Sequence, residues 1–267
     1  AVAGRFPEKS DSVPSPSFHG AMPLQRLQQA PTAQELKALL ATGRPFAFGS
    51  ALESWPARQR WTSLEYLDLL VGHRLVPTEL GSNVGAESWK EEFMTLSQFL
   101  SERVAPSCER YKAGSPETAV AYLAQHELLE QCPALRADIS VPSSWQEVLG
   151  APARCNIWLG TSSTLTPCHW DSYNNLFTQV QGFKRVLLLA PDEKSRLYTK
   201  QAAGDTSAQG NVSPVNVEEP DLTKYPNFGQ AQVLWLDLNP GDTLYMPSGW
   251  WHQLRALSPS ISVNFWY

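Results

Sequence analysis

The stretch TPCHWDSYNN, residues 166–175, sets an imidazole and a carboxylate two positions apart, at His169 and Asp171. A His-x-Asp tripeptide arises by chance in roughly one chain in six of this composition, so its meaning depends on what surrounds it. On a strand, residues i and i+2 share a face, and both groups then reach one metal ion. A third ligand from another strand is offered by PSGWWHQLRAL, in His252, whereas His19, His73 and His126 fall in the N-terminal tail or the helical half. Two neutral imidazoles and one carboxylate form the facial set of non-haem Fe(II) oxygenases, which leaves three coordination positions open. Zinc accepts a similar set, so the triad alone does not name the metal. Lys184 lies just past Gly182 in the same half of the chain. Turned into a barrel interior, its ammonium needs an anion; turned to solvent, it is an ordinary surface lysine. Thr166 and Asn175 add neutral hydrogen-bonding groups beside the metal strand. Metal, Lys, Thr and Asn together suit a small dicarboxylate that chelates the ion at one end and pairs with the ammonium at the other.

These side chains need elements to hold them, and 267 residues with 42% hydrophobic content are enough for a substantial core. Ten Trp imply a core or pocket rich in large aromatic surfaces. The net charge of −5 argues against broad electrostatic binding to nucleic acid. No apolar run approaches transmembrane length. The chain opens on Ala1 without a signal-peptide pattern, so further chain upstream is expected. Cys108, Cys132, Cys155 and Cys168 lack paired spacing and read as reduced thiols of an intracellular protein. Cys168, adjacent to His169 on a strand, points to the opposite face and reads as a small buried hydrophobe.

Residues 1–23 read as an extended or flexible arm, and 24–267 as one domain. Within that domain, 24–150 form a helical and mixed portion and 151–267 a β-rich core. Thr32 and Glu35 match a capping box that opens a helix to about Leu40, closed by Gly43 and Pro45. A strand near Phe46–Phe48 follows, then a helix with Leu64, Leu67, Leu70 and Val71 on one face, a strand in 73–81, and a second capping box at Thr95 and Gln98. From Cys155, CNIWLG, LFTQVQ, KRVLLLA, QVLWLDL, DTLYMP and SISVNFWY are short β-rich runs between Gly, Pro and Asn signals. Val180–Lys184 reads as a tight hairpin. Helices first and strands afterwards predict a mainly β barrel or double-sheet jelly roll with flanking helices. The polar segment from Thr199 to Pro226 reads as a lid or binding loop, with a disordered insertion the alternative for its AAGDTSAQG part.

The pattern T-x-x-H-x-D-x-x-x-N-x-F-x-Q-x-x-G-x-K over 166–184, then PGDTLYMPSGWWH and a closing SVNFWY, resembles the JmjC family of Fe(II)- and 2-oxoglutarate-dependent oxygenases. It is close to the factor-inhibiting-HIF type. VPTELGS (76–82), AYLAQHELLEQCPALRADISVP (121–142) and VNVEEPDLTKYPNF (215–228) are similar to a subfamily associated with hydroxylation of arginyl residues. The resemblance implies a double-stranded β-helix core of the cupin-like kind. It implies Fe(II) on His169, Asp171 and His252, with 2-oxoglutarate and O2 as co-substrates. Tyr122, Thr166 and Lys184 would hold the distal carboxylate of 2-oxoglutarate, Asn175 would lie near its chelating end, and Asn264 and Trp266 would line the pocket. Glu79 and Trp158 match positions that contact a substrate arginine. The implied reaction converts 2-oxoglutarate to succinate and CO2 and hydroxylates a C–H bond of an arginine-containing protein or peptide. N-methyl-lysine demethylation, hydroxylation of Asn or His, and modification of an RNA base are alternatives within the class. A silent cupin-like binding module and a zinc cupin with isomerase chemistry are alternatives outside it. Trp170, Ser172 and Tyr173 depart from the subfamily pattern beside the entrance to the site.

Overall fold

The computed structural model describes residues 2–8, 21–49, 52–81, 89–199 and 210–267. Two sheets face each other. The smaller has the order β1 (Ala21–Pro23), β11 (Val233–Leu238), β10 (Lys184–Leu189), β13 (Trp251–Ala256), β8 (Leu165–His169). The larger runs β2 (Arg26–Leu27), β3 (Phe46–Phe48), β12 (Thr243–Met246), β9 (Asn175–Gln181), β14 (Ser260–Trp266), β7 (Arg154–Gly160), β6 (Ala121–His126), β4 (Leu75–Leu80), β5 (Lys90–Thr95). This is the double-sheet jelly roll expected from the sequence.

Alternation explains how one strand serves two cores. On β10, Val186 and Leu188 join Phe177 and Leu254 between the sheets, while Leu187 and Leu189 join Val215, Val217 and Trp251 on the outer side. Both faces are covered, which is why KRVLLL reads as a nearly continuous apolar run. The third core lies between the larger sheet and the helices and holds Leu36, Trp55, Trp61, Trp145 and Phe265.

The expected capping boxes are both formed. Thr32 caps α1 (Ala33–Ala41) with Glu35 returning the bond, and Thr95 does the same with Gln98. The short helix α2 (Ala57–Arg60) precedes α3 (Leu64–Val71), which buries Leu64, Leu67 and Val71. Asp138 ties this region together: it accepts from Arg60 at 2.7 Å, from the Trp61 indole at 2.9 Å and from the Tyr66 hydroxyl at 2.7 Å. Residues 2–8 lie along α3, with Val2 and Phe6 buried and Phe6 N–H donating to Thr62. No helix among the described residues is long and apolar enough to cross a membrane.

One expectation is corrected. Val180–Lys184 is not a hairpin, because β9 pairs with β12 and β14 while β10 pairs with β11 and β13. The link is a corner at which the chain leaves one sheet for the other. Gly182 makes it: φ is +68°, and a Cβ there would lie 2.0 Å from the Pro259 carbonyl oxygen. Gly in a short link looks the same in sequence whether the strands pair or part; tertiary pairing decides.

Of the long polar segment, 200–209 and so most of AAGDTSAQG lie outside the described residues. From Asn211 the chain runs beside β8, with Trp170 N–H donating to Asn211 and Ser213 N–H to Cys168. Glu218 then pairs with Arg255 and with the buried Arg185, fixing this stretch to the outer face of the smaller sheet.

Candidate metal centre

His169 ends β8 and faces His252 directly across to β13. Asp171 lies beyond the end of β8, so strand alternation is not what aligns it. Instead the Gly249 amide donates to the Asp171 carbonyl oxygen at 2.9 Å and holds the chain beside β13. The three side chains offer ligand atoms within 4.8 Å of one another, with His169 Nε2 3.8 Å and His252 Nε2 3.6 Å from the Asp171 carboxylate. Such spacing lets the three side chains close on one small cation.

The tautomers suit a metal. His169 Nδ1 lies 2.8 Å from the Pro167 carbonyl oxygen and His252 Nδ1 lies 2.9 Å from that of Trp250. A carbonyl oxygen only accepts, so each Nδ1 carries the proton and each Nε2 lone pair is left for the ion. Burial, reinforced by His252, pushes His169 down to about 4, so it is neutral near pH 7. Burial alone would raise Asp171, but the neighbouring His252, and both imidazoles when protonated, outweigh it and hold the carboxyl below its ordinary value. Cys168 belongs to the outer core and contributes no ligand to this cluster.

The cavity at the centre is lined by the triad with Tyr122, Trp158, Thr166, Asn175 and Trp266. Lys184 lies behind Tyr122, 1% exposed, and donates to its hydroxyl at 3.1 Å. Among the described residues it has no carboxylate partner, and burial lowers it to about 7. An unpaired ammonium this deep is costly, and an incoming carboxylate would neutralise it. Asn264 is one layer out. Its Oδ1 accepts from the Trp158 indole at 2.8 Å and its Nδ2 donates to Asn175 Oδ1 at 3.1 Å. That fixes the Asn175 amide and leaves its own Nδ2 as a donor for a ligand. The donor set and the lysine therefore fit both Fe(II) and a dicarboxylate.

Glu79 is not among the cavity-lining residues. It sits directly across from Tyr122 on β4, half-buried, with its carboxyl raised by burial and by Glu91 opposite it on β5. Trp158 stands at the wall, its ring 5.9 Å from that of Tyr122. The sequence reading missed Gln125, Phe177, Met246 and Leu254, which also line the cavity. Phe177 and Leu254 follow Asn175 and His252 by two positions, so alternation could have found them. Gln125 could not be found this way. It has φ +42° at a register shift in β6, a bulge that turns its side chain off the regular period.

A zinc cupin has no use for a buried lysine behind the cavity wall with no carboxylate partner among the described residues, whereas an enzyme that chelates a dicarboxylate does. The class so defined is the JmjC-type cupin-like domain, whose members are 2-oxoglutarate-dependent dioxygenases and generally use Fe(II). The chain belongs to the cupin-like domain family, whose model matches residues 31–267. It is similar to Jumonji C domain-containing protein 5 of Drosophila melanogaster, 37% identical over 243 residues that cover 89% of this chain and 58% of the relative. It is also similar to lysine-specific demethylase 8 of Xenopus tropicalis, 34% identical over 85% of this chain and 49% of the relative. Lysine-specific demethylase JMJ30 of Arabidopsis thaliana is 35% identical over 84% of this chain and 50% of its own length. The chain thus spans about half the length of the curated relatives it matches.

Proposed function

We propose that this domain is an Fe(II)- and 2-oxoglutarate-dependent hydroxylase of arginyl residues in proteins. The observation that carries the oxygenase reading is Lys184, a buried ammonium without a counter-charge among the described residues, behind the wall of the cavity that holds the His-Asp-His set. His169, Asp171 and His252 would hold the iron. When bound, the iron with 2-oxoglutarate and O2 supplies the oxidising power for a C–H hydroxylation, with succinate and CO2 as co-products. Lys184, Tyr122 and Thr166 bind and orient the distal carboxylate, and Asn175, held by Asn264, donates to the chelating end. Phe177, Met246 and Leu254 keep the cavity dry, which strengthens each of these charge-assisted bonds. The four cysteines are buried free thiols, which supports an intracellular protein.

The arginyl assignment rests on Glu79 and Trp158, on either side of Tyr122. A carboxylate and an indole suit the edge and face of a guanidinium. A second reading, removal of methyl groups from lysine, is favoured by the names of two relatives and by three aromatic residues near the mouth, Trp170, Tyr173 and Trp266. Mass spectrometry of Arg-containing and methyl-lysine-containing peptides incubated with iron, 2-oxoglutarate and oxygen separates the two. Arginyl hydroxylation adds one oxygen; demethylation removes one methylene. In Glu79→Gln we expect Arg hydroxylation to fall at least about thirtyfold, the cost of stranding a partner of a charge pair. Normal Arg hydroxylation by that variant, or a wild type that demethylates and ignores Arg, overturns the arginyl assignment.

A further inference from the structure

Just outside the metal cavity lies a second cleft of about 410 Å³, lined by Trp170, Asp171, Ser172, Tyr173, Asn211 and Trp266. It shares Asp171 and Trp266 with the inner cavity, so the two adjoin at these residues. Its walls are built rather than incidental. On one side the Trp170 backbone is clamped to Asn211 by N–H to carbonyl at 3.1 Å and by the Asn211 amide to the Trp170 carbonyl at 3.1 Å. On the other side the Tyr173 ring lies flat on Trp266, centroids 5.0 Å apart and planes 4° apart. Stacking of this kind immobilises both rings. Trp266 is 6% exposed, yet its buried indole N–H has no hydrogen-bond partner among the described residues.

We propose that this cleft is the subsite for the substrate residue next to the one oxidised, and that Tyr173 is its specificity-determining wall. The inference rests on the protein-hydroxylase reading. A target side chain that reaches the metal from outside passes Asp171 and Trp266, so its neighbour in an extended polypeptide lies in the cleft. The volume suits one large side chain with its backbone. The flat Tyr173–Trp266 pair favours an apolar or planar side chain, aliphatic or aromatic, over a small or acidic one. The three positions that depart from the subfamily pattern, Trp170, Ser172 and Tyr173, all line this cleft.

The test is a peptide series with a fixed target residue and Gly, Asp, Leu or Phe beside it, assayed for peptide KM and, separately, for binding to the Mn(II)-loaded protein. In wild type we expect Phe and Leu peptides to bind at least fivefold more tightly than Gly and Asp peptides. Tyr173→Ala should erase that preference and raise the KM of the Phe peptide about tenfold, with a much smaller change in the KM for 2-oxoglutarate; Tyr173→Phe should restore both. A purely structural role for Tyr173 would raise KM for all four peptides alike. Wild type that oxidises and binds the series without preference, or Tyr173→Ala that keeps the preference, overturns the subsite and leaves the hydroxylase reading standing. Wild type that oxidises and binds no peptide overturns both.

Discussion

At the residue scale, Lys184 is the side chain that tests the proposed 2-oxoglutarate site. If it pairs with the distal carboxylate of 2-oxoglutarate, Lys184→Met strands that carboxylate at a cost of about 3–5 kcal/mol. The expected result is a rise in the 2-oxoglutarate requirement of at least about a hundredfold, with Mn(II) affinity nearly unchanged, read by calorimetry with each ligand in turn. The pH dependence has a definite sign. Burial lowers Lys184 from its ordinary 10.5 to about 7. Below pH 7 the folded protein carries the full penalty of a buried charge. Between pH 7 and 10.5 the unfolded chain binds a proton that the folded one does not, so stability without ligand rises with pH. Anion binding has the opposite sense, because it needs the ammonium. From pH 7 to 8.5, 2-oxoglutarate affinity should weaken towards a limit of about tenfold per pH unit, with proton uptake visible in buffers of different ionisation enthalpy. Affinity independent of pH, without proton uptake, would place the ammonium away from the carboxylate.

At the element scale, the corner between β9 and β10 matters most. Gly182 lets the chain leave one sheet and enter the other within two residues, and this sets Lys184 at the start of β10 with its side chain turned inward. Gly182→Ala combines a positive φ with a backbone contact 2.0 Å from the new Cβ. The expected loss is about 2–4 kcal/mol of stability in urea unfolding. Because the strain falls at the root of β10, 2-oxoglutarate affinity should drop more than metal affinity, whose ligands come from β8, β13 and the turn after β8. Wild-type stability in this variant would mean that the corner relaxes freely.

At the scale of the whole molecule, the site joins both sheets. The two histidines and Lys184 come from the smaller sheet, Tyr122, Trp158, Asn175 and Asn264 from the larger. Ligands bound between them should therefore resist the separation of the sheets. At about a hundred times Kd, a ligand specific to the folded state adds about 2.7 kcal/mol. For a chain of this length that corresponds to a rise in Tm of about 5 °C or more. Scanning fluorimetry with Mn(II) and 2-oxoglutarate should show this in wild type, and His252→Ala should lose the metal-dependent part. An equal shift in that variant would remove His252 from the metal set.

Local chemistry wrote much of this protein legibly. The capping boxes at Thr32 and Thr95, the buried face of α3 and the period-two runs from Cys155 onward are set by neighbours in sequence, and they fixed element types and the jelly-roll class. His169, Asp171 and His252 were legible because few residue types bind metal and few histidines were available. Other features depend on which strands meet. The sequence could not show that β9 and β10 part rather than pair, because Gly182 serves either geometry. Nor could it show that Asp171 is aligned by the Gly249 amide rather than by strand alternation, that Glu79 stands one strand behind the cavity wall, or that Gln125 turns into the cavity at a bulge. Pairing between strands distant in the chain is decided by how the sheets bury their faces together, and that balance appears only in the folded molecule.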